Sequence, residues 1–302
     1  MRNTSFLLSC LLVALAAFAQ NDQRRDFVLT SYSDLVLVPV TVTNKEGGIV
    51  NGLTQSQFQI KENKIDQRIF SVSEQDVPAS IGIVLDTSGS MNEELPAAKT
   101  ALKEFLADAN PDDEAFLYTV SANPRRESFF TTDFDAMLGR VSFRSAFGST
   151  ALIDTIYAGL DGLREAKHAR RALLIISDGM DNHSRYSKAE LMSLALESNA
   201  QIYAISIHDP SAYQKPAQLK EERAGLALLD ELAWKTGGIP FVVRNTGGLH
   251  AATAQIGRAL RNQYVLSYVP RPRKRDGKWQ SIHVTVAAPH AMVYARPGYR
   301  AD

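Results

Sequence analysis

The sequence has 302 residues and equal numbers of basic and acidic side chains, 33 of each, so its formal net charge is zero. This balance excludes a strong overall field, and with it binding to nucleic acid through a generally basic surface. Hydrophobic residues make up 45% and charged residues 22% of the chain, which is typical of a folded globular protein. The length allows one large domain and a second, small one. A specific site must therefore carry the function.

Residues 1–19 are predicted to be a signal peptide. Arg2 precedes an apolar run that ends in Ala17-Phe18-Ala19, a small-x-small cleavage pattern. The run is too short to be a spanning helix, and no later apolar run is long enough to be one. We therefore expect an exported protein without a transmembrane segment, either periplasmic or extracellular.

An alternative interpretation of this segment is a lipoprotein signal with Cys10 as the acylated residue. The apolar run continues for nine residues past Cys10, which disfavours this alternative. Cleavage after Ala19 would remove the only cysteine of the chain. The mature protein would then hold no disulfide and would rely on core packing for its stability.

Two β-rich flanks are predicted, an N-terminal segment over residues 20–76 and a C-terminal segment over residues 264–302. The predicted strands span residues 35–42, 58–61 and 69–72 in the first and 264–268, 281–287 and 291–294 in the second. Each flank is too small to bury a core alone. We therefore predict that residues 33–76 pack with the C-terminal segment as one small β-sandwich, with the intervening residues inserted as a separate domain.

Residues 77–263 alternate between strand and helix patterns. The predicted strands span residues 80–85, 115–120, 127–130, 172–176, 201–207 and 239–243. The predicted helices span residues 94–107, 151–166, 188–197, 221–235 and 248–262, with a surface loop at 209–220. This alternation is typical of parallel strands joined by crossover helices on both faces. The predicted fold class is therefore α/β, a Rossmann-like, doubly wound and mostly parallel sheet with the small β-sandwich beside it.

At the first strand-to-helix junction, a buried strand pattern ends in three oxygen-bearing side chains at alternate positions, Asp86, Ser88 and Ser90. Ile81–Leu85 is followed by Asp86-Thr87-Ser88-Gly89-Ser90 and then by an amphipathic helix. Open α/β sheets bind their ligands at the carboxyl ends of their strands. Carboxylate and hydroxyl oxygens that converge there suit a hard divalent cation.

Two further junctions present oxygen-bearing side chains. Thr150 comes directly before the helix predicted at 151–166, where Ser149 or Thr150 could equally serve as the N-cap. Asp178 follows the buried strand predicted at 172–176, where Asp178-Gly179 could equally be an ordinary turn. Taken singly, each position has a structural explanation at least as good as the functional one.

Taken together, Asp86-x-Ser88-x-Ser90, Thr150 and Asp178 resemble the metal-ion-dependent adhesion site (MIDAS) of the von Willebrand factor type A domain. The resemblance implies that the hydroxyls of Ser88, Ser90 and Thr150 bind a metal ion. It implies that Asp86 and Asp178 bind the ion directly or through water. It also implies Mg²⁺ as the cation, with Mn²⁺ or Ca²⁺ as alternatives, and a protein partner that offers a Glu or Asp carboxylate to the open coordination position.

This resemblance covers residues 77–262. The whole chain also resembles the von Willebrand factor type A-related secreted proteins of acidobacteria, through Gly52-Leu53-Thr54 in one flank and Arg296-Pro297-Gly298-Tyr299 in the other. That second resemblance implies an architecture and adds no mechanism.

The predicted function is therefore divalent-cation-dependent protein binding by an exported adhesion or interaction module, not catalysis. The sequence contains neither a phosphate-binding P-loop nor a Gly-x-Ser-x-Gly nucleophile motif. The six histidines lack metal-ligand spacing, and His183 is the nearest of them to Asp178. The alternative is a metal-dependent hydrolase that uses the same cation. A scaffold that has lost metal binding is disfavoured by the intact motif, and no particular oligomeric state is predicted.

A basic run, Arg271–Arg275, lies between two predicted strands of the C-terminal flank. Such a run is usually a solvated hairpin loop, although it could contact anionic glycans or lipid headgroups. The nearby aromatic residues Tyr264, Tyr268 and Trp279 are predicted to belong to the β core and not to a sugar-binding surface.

Overall fold

The computed structural model describes residues 35–74, 76–141, 150–208 and 216–301. Within these residues the chain forms fourteen strands and six α-helices. The signal peptide predicted at 1–19, with Cys10, lies outside the described residues. In the part of the chain that the structure describes, we find no helix with the length and hydropathy needed to cross a membrane.

The strands and helices are distributed over three parts of the chain. The N-terminal flank forms β1 (Val36–Thr43), β2 (Phe58–Glu62), β3 (Ile65–Gln67) and β4 (Ile69–Glu74). The central part forms β5 (Ala79–Asp86), β6 (Glu114–Val120), β7 (Arg125–Thr131), β8 (Arg170–Ser177), β9 (Gln201–Ile207) and β10 (Pro240–Val243). Its helices are α1 (Leu95–Ala107), α2 (Phe134–Gly139), α3 (Leu152–Gly162), α4 (Lys188–Glu197), α5 (Pro216–Thr236) and α6 (Thr246–Arg261). The C-terminal flank forms β11 (Tyr264–Tyr268), β12 (Trp279–Val286), β13 (Met292–Ala295) and β14 (Gly298–Arg300).

The central part is a six-stranded sheet in the order β10-β9-β8-β5-β6-β7, with α-helices on both faces. Helices α1 and α6 pack on one face, and helices α3, α4 and α5 pack on the other. Every residue of β5 is buried, as expected of an apolar strand covered on both sides. The predicted fold class, a doubly wound and mostly parallel α/β sheet, is confirmed.

Strand β7 is the exception to the parallel order, because it pairs antiparallel to β6. The strand predicted at 127–130 lies within β7, and the sequence pattern did not identify its direction in a sheet predicted to be mostly parallel. The physical reason for the antiparallel direction is the connection between the two strands. Residues 121–124 can close a tight turn, whereas a parallel crossover needs a dozen residues or more.

Some predicted element boundaries also need correction. Helix α5 begins at Pro216, so the last five residues of the loop predicted at 209–220 are helical, while 209–215 lie outside the described residues. Helix α3 ends at Gly162 and is followed by a short 3-10 turn. Helix α2 was not predicted, because its six residues are too few to show a helical period.

The two flanks form a β-sandwich in which each sheet contains strands from both ends of the chain. The sheet orders are β13-β1-β11-β4 and β14-β12-β2-β3. Buried residues of both sheets share one core, which includes Val38, Ile60, Tyr264, Leu266 and Ile282. This shared core supplies the apolar burial that neither flank could provide alone.

The sandwich contacts the amino-terminal edge of the six-stranded sheet. The amide of Gln263 donates to the side chain of Gln201, the first residue of β9, at 2.7 Å. Arg296, which follows β13, donates to the side chain of Asn199 at 2.7 Å. Asp86 and Asp178 therefore lie at the opposite, carboxyl-terminal edge.

Candidate metal site

Asp86 ends strand β5 and is completely buried. Its Oδ1 accepts a hydrogen bond from the backbone N–H of Ser88 at 2.9 Å, and its Oδ2 accepts one from the hydroxyl of Ser177 at 2.6 Å. Both donors are neutral. Burial and, to a smaller extent, the negative charge of Asp178 raise the pKa of Asp86 from 3.8 to about 7. The carboxylate of Asp86 is thus held in place without a neutralising cation among these partners.

Ser88 directly precedes a short 3-10 turn, Gly89–Met91, that contains Ser90. Their hydroxyl oxygens lie 3.1 Å apart, and Ser88 is buried while Ser90 is exposed. The turn is anchored to the sheet because the hydroxyl of Thr87 donates to the carbonyl of Val120 at 2.9 Å. Two neighbouring hydroxyl oxygens therefore lie next to the end of β5.

Asp178 directly follows strand β8, which is hydrogen-bonded to β5 in parallel with Leu85 opposite Ile176. Asp178 is buried, and its Oδ1 accepts the backbone N–H of Met180 at 3.0 Å. This is the turn-type hydrogen bond that the Asp-Gly sequence predicts. Like Asp86, Asp178 thus has one oxygen fixed by the backbone two residues further on.

Gly179 fixes the path of the chain after Asp178. Its φ of +84° lies in the region that favours glycine. Helix α5 approaches this turn so closely that a Cβ on Gly225 would lie 1.7 Å from the carbonyl oxygen of Gly179. The position of Asp178 therefore depends on glycine at two places, one in the turn and one in the helix above it.

Thr150 is buried between two loops of the same sheet edge. Its backbone N–H donates to the side chain of Asn182 at 2.9 Å, and its carbonyl accepts the N–H groups of Asn182 and His183, each at 3.0 Å. The next residue, Ala151, donates its N–H to the carbonyl of Ser121, after β6, at 2.9 Å. These contacts hold Thr150 against the loop that follows Asp178.

One interpretation of the sequence made Thr150 the N-cap of helix α3. The structure does not support that interpretation. Ala151 occupies the N-cap position and provides no side-chain cap. Instead, the carboxylate of Asp181 accepts the N–H of Leu152 at 2.9 Å and that of Ile153 at 3.4 Å. The capping role is filled from another loop, so capping does not explain the threonine at position 150.

A second carboxylate fastens the loop after β8 to helix α3. Asp154 is buried and accepts the backbone N–H groups of Arg185 at 2.8 Å and Tyr186 at 2.9 Å. Burial alone would raise the pKa of Asp154, but these hydrogen bonds and the Arg185 guanidinium hold it below its usual value. The loop that carries Asp178 is therefore a fixed part of the fold.

The structure thus places all five predicted residues at one sheet edge, on the loops after β5 and β8 and at the start of α3. The sequence did not identify the supporting residues Ser177, Asp181 and Asn182, whose site contacts described above are with residues 28 to 91 positions away along the chain. For Ser177, its place directly before Asp178 was the only available signal. His183 contacts the site through its backbone N–H to Thr150.

The donor set of two carboxylates and three hydroxyls is one that a hard cation such as Mg²⁺ prefers. Among the described residues, no three His, Cys, Asp or Glu side chains cluster closely enough to hold a metal ion by themselves. A cation here would therefore depend on the hydroxyl groups. Glu221 lies near enough to the site to interact with its charges. Burial and the negative charges of Asp181 and Asp178 raise the pKa of Glu221.

The comparisons with known proteins agree with this fold. Residues 81–180 match the family model of the von Willebrand factor type A domain. This part of the chain, which carries all five site residues, is therefore a von Willebrand factor type A domain. No curated protein matches the sequence.

Two solved structures share the fold at low sequence identity. The von Willebrand factor type A protein from Catenulispora acidiphila is 13% identical with a TM-score of 0.51, and the match covers 89% of this chain and 63% of that one. Proximal thread matrix protein 1 from the mussel byssus, with a zinc-occupied MIDAS motif, is 16% identical with a TM-score of 0.50. That match covers 66% of this chain and 49% of the mussel protein, so this chain spans about half of it.

Proposed function

We propose that the protein is an exported, divalent-cation-dependent binding module whose site is formed by Asp86, Ser88, Ser90, Thr150 and Asp178. One observation carries the proposal. Asp86 is completely buried, accepts hydrogen bonds from neutral groups and is close enough to Asp178 for the two charges to repel. An uncompensated buried carboxylate is costly, and a divalent cation would remove that cost.

Each residue has a distinct role in this proposal. The hydroxyls of Ser88, Ser90 and Thr150 bind the cation as neutral ligands, and the two aspartates balance its charge directly or through water. Mg²⁺ is the proposed cation, with Mn²⁺ and Ca²⁺ as alternatives, because all three prefer oxygen ligands. The mussel protein supports the choice of site, since the same fold holds zinc there at its MIDAS motif.

The partner is proposed to be a protein that presents a Glu or Asp side chain. A bound divalent cation with neutral hydroxyl ligands acts as a Lewis acid and attracts a further anionic oxygen. Ser90 is exposed beside the buried Ser88, so the site lies at the protein surface where a partner can reach it. We propose binding and not catalysis, because the described contacts of Asp86 and Asp178 are structural hydrogen bonds and assign neither the role of a general base.

Thermal unfolding of the full chain tests the cation. Mg²⁺ or Mn²⁺ should raise the melting temperature relative to chelator. When the free ion is at 100 times its dissociation constant, binding should add about 2.7 kcal/mol to the free energy of unfolding. Asp86→Asn and Asp178→Asn should lose this response. The matched control is Glu114→Gln, a buried carboxylate at the other sheet edge, which should keep it. A wild-type protein that does not respond to either metal would refute the proposal.

Water-proton relaxation with Mn²⁺ tests the open coordination position. The Mn²⁺-loaded protein should enhance relaxation strongly, and acetate, as the simplest carboxylate probe, should reduce the enhancement by displacing the bound water. An enclosed ion would give little enhancement and would exclude partner docking. Turnover of p-nitrophenyl phosphate that disappears in Asp86→Asn would instead favour the hydrolase alternative.

A further inference from the structure

The loop between β11 and β12 concentrates positive charge on a chain whose formal net charge is zero. Residues 271–278 contain five Lys or Arg side chains and one aspartate. Every residue from 271 to 279 is exposed. The charge of this loop is therefore presented to the solvent.

Hydrogen bonds hold this loop in a defined shape. The side chain of Gln67 donates to the carbonyl of Arg271 and accepts its N–H, both at 2.9 Å. At the other end, Gly277 donates to the carbonyl of Ala301 at 2.8 Å. The cations are thus displayed on an anchored loop at one end of the β-sandwich.

The single acidic residue of the loop is used within the loop itself. The carboxylate of Asp276 accepts the backbone N–H of Lys278 at 3.1 Å and the amide of Gln280 at 3.4 Å. Among the described residues, Lys274 and Lys278 form no ion pair with it. The charges of Lys274 and Lys278 are therefore left to act outward.

Two exposed aromatic side chains accompany these cations. Trp279, expected to lie in the core, is 39% exposed at the start of β12, and Phe70 is 70% exposed. Phe70 follows Ile69, which pairs with Tyr268 just before the loop, and the exposed Arg68 precedes Ile69. The core prediction is right for Tyr264 and Tyr268 but wrong for Trp279, since that residue is the first of its strand, next to the loop.

We propose that residues 271–279, together with Arg68 and Phe70, form a surface that binds anionic lipid bilayers, and we call it the basic patch. Arginine and lysine side chains bind the phosphates of anionic headgroups. Exposed indole and phenyl rings gain by burial at the boundary between headgroups and acyl chains. A soluble polyanion would satisfy the cations alone, whereas a bilayer also removes Phe70, which has no polar group, from water.

The position of the basic patch allows membrane binding and cation binding at the same time. The patch belongs to the sandwich, which contacts the amino-terminal edge of the sheet through Gln263 and Arg296. The candidate metal site lies at the carboxyl-terminal edge. A protein attached through the patch would keep that site available to a partner, and the membrane proposal does not depend on the metal being bound.

Vesicle co-sedimentation of the full chain tests the proposal. The wild-type protein should bind vesicles containing about one-third phosphatidylglycerol and should bind pure phosphatidylcholine vesicles at least about tenfold more weakly. The test variant replaces the five loop cations by glutamine, at positions 271, 273, 274, 275 and 278. It should lose at least about tenfold in partitioning, since each basic side chain contributes severalfold.

The matched control has the same change in net charge at five exposed cations elsewhere, namely Lys45, Lys220, Arg223, Lys235 and Arg244, each replaced by glutamine. It should bind within about twofold of the wild type. A separate Phe70→Ser variant should weaken binding at any salt concentration, because its contribution is apolar. Residues 1–34 are identical in all these proteins, so they cannot cause the differences.

Three results would overturn the proposal. The first is equal binding of the wild type to anionic and neutral vesicles. The second is an equal loss in the loop variant and in the control, which would mean that net charge alone decides. The third is binding to a soluble sulfated polysaccharide, with no vesicle binding, that disappears in the loop variant. That result would assign the patch to a polysaccharide instead.

Discussion

Buried carboxylates lie at both edges of the six-stranded sheet, but the chain compensates them differently. At the amino-terminal edge, Asp113 is completely buried and accepts the N–H of Ala79 at 2.7 Å and the Arg261 guanidinium at 2.5 Å. At the carboxyl-terminal edge, Asp86 is equally buried but has neutral donors and the repulsive charge of Asp178. A carboxylate paired with the chain's own arginine serves the fold. A carboxylate without such a partner is suited to an added cation.

The largest expected effect is at the amino-terminal edge. Asp113→Ala should lower the free energy of unfolding by about 3 kcal/mol or more, because it leaves the largely buried Arg261 without its closest partner. Urea-induced unfolding measures this loss. Asp76→Ala is the control, since Asp76 pairs with the same arginine but its side chain is 41% exposed. It should cost about 1 kcal/mol or less.

Asp86→Asn should behave in the opposite way. In chelator it should be as stable as the wild type or more stable, because it removes a buried negative charge that has no cationic partner among the described residues. Mg²⁺ at 100 times its dissociation constant should stabilise the wild type by about 2.7 kcal/mol and leave the variant unchanged. If Asp86→Asn were strongly destabilised in chelator, Asp86 would be a structural residue like Asp113 and the contrast between the edges would fail.

Asp154→Asn tests whether the loop after β8 needs the carboxylate that holds it to helix α3. At pH 7 the substitution should lower the free energy of unfolding by about 2 kcal/mol, because hydrogen bonds to a charged group contribute on this scale. The pKa of Asp154 is lower in the folded protein than in the unfolded chain, so its stabilisation is complete above the unfolded pKa of about 4. It disappears as the pH falls through the folded value.

Unfolding curves of the wild type and Asp154→Asn between pH 7 and pH 2 check this sign. The difference between them should shrink below about pH 4. A difference that stays constant over this range would mean that the ionised form of Asp154 contributes nothing. The Mg²⁺ response of the variant should weaken as well, because the same loop carries Asp178.

The smallest effect is expected away from both edges. Lys103 and Asp135 form a 3.1 Å ion pair whose side chains are 68% and 80% exposed. Lys103→Gln should change stability by no more than about 0.5 kcal/mol, since exposed pairs are screened and lose side-chain entropy. A larger change would show that stability does not follow burial in this fold.

Local patterns in the sequence predicted much of the fold. The buried runs that became β5, β8 and β9 are continuous apolar segments, so their strands could be identified with boundaries within two residues. The direction of β7 and the start of α5 were missed because they depend on turn length and on packing. Trp279 was assigned to the core because it is aromatic. Aromatic character does not show which strand position faces the solvent, and Trp279 is in fact exposed.

The candidate site also has features that the sequence predicted and features that it did not. The order of Asp86, Ser88, Ser90, Thr150 and Asp178 along the chain, each at a strand end or helix start, could be read directly, because those junctions follow from local hydrophobic periodicity. The sequence could not show that Ser177 would donate a hydrogen bond to Asp86. It also could not show that Asp181 would cap α3 in place of Thr150.

By itself, the sequence determined most of the strands and helices and which oxygen-bearing residues end them. Only the tertiary structure decided that Asp86 would be buried beside Asp178 with the neutral donors Ser88 and Ser177, while Asp113 would pair with Arg261. It also decided that cations and aromatic side chains would share one exposed end of the sandwich. The physical reason is that hydrogen bonds and charge compensation join residues far apart in the chain, whereas propensity and periodicity act over a few neighbours.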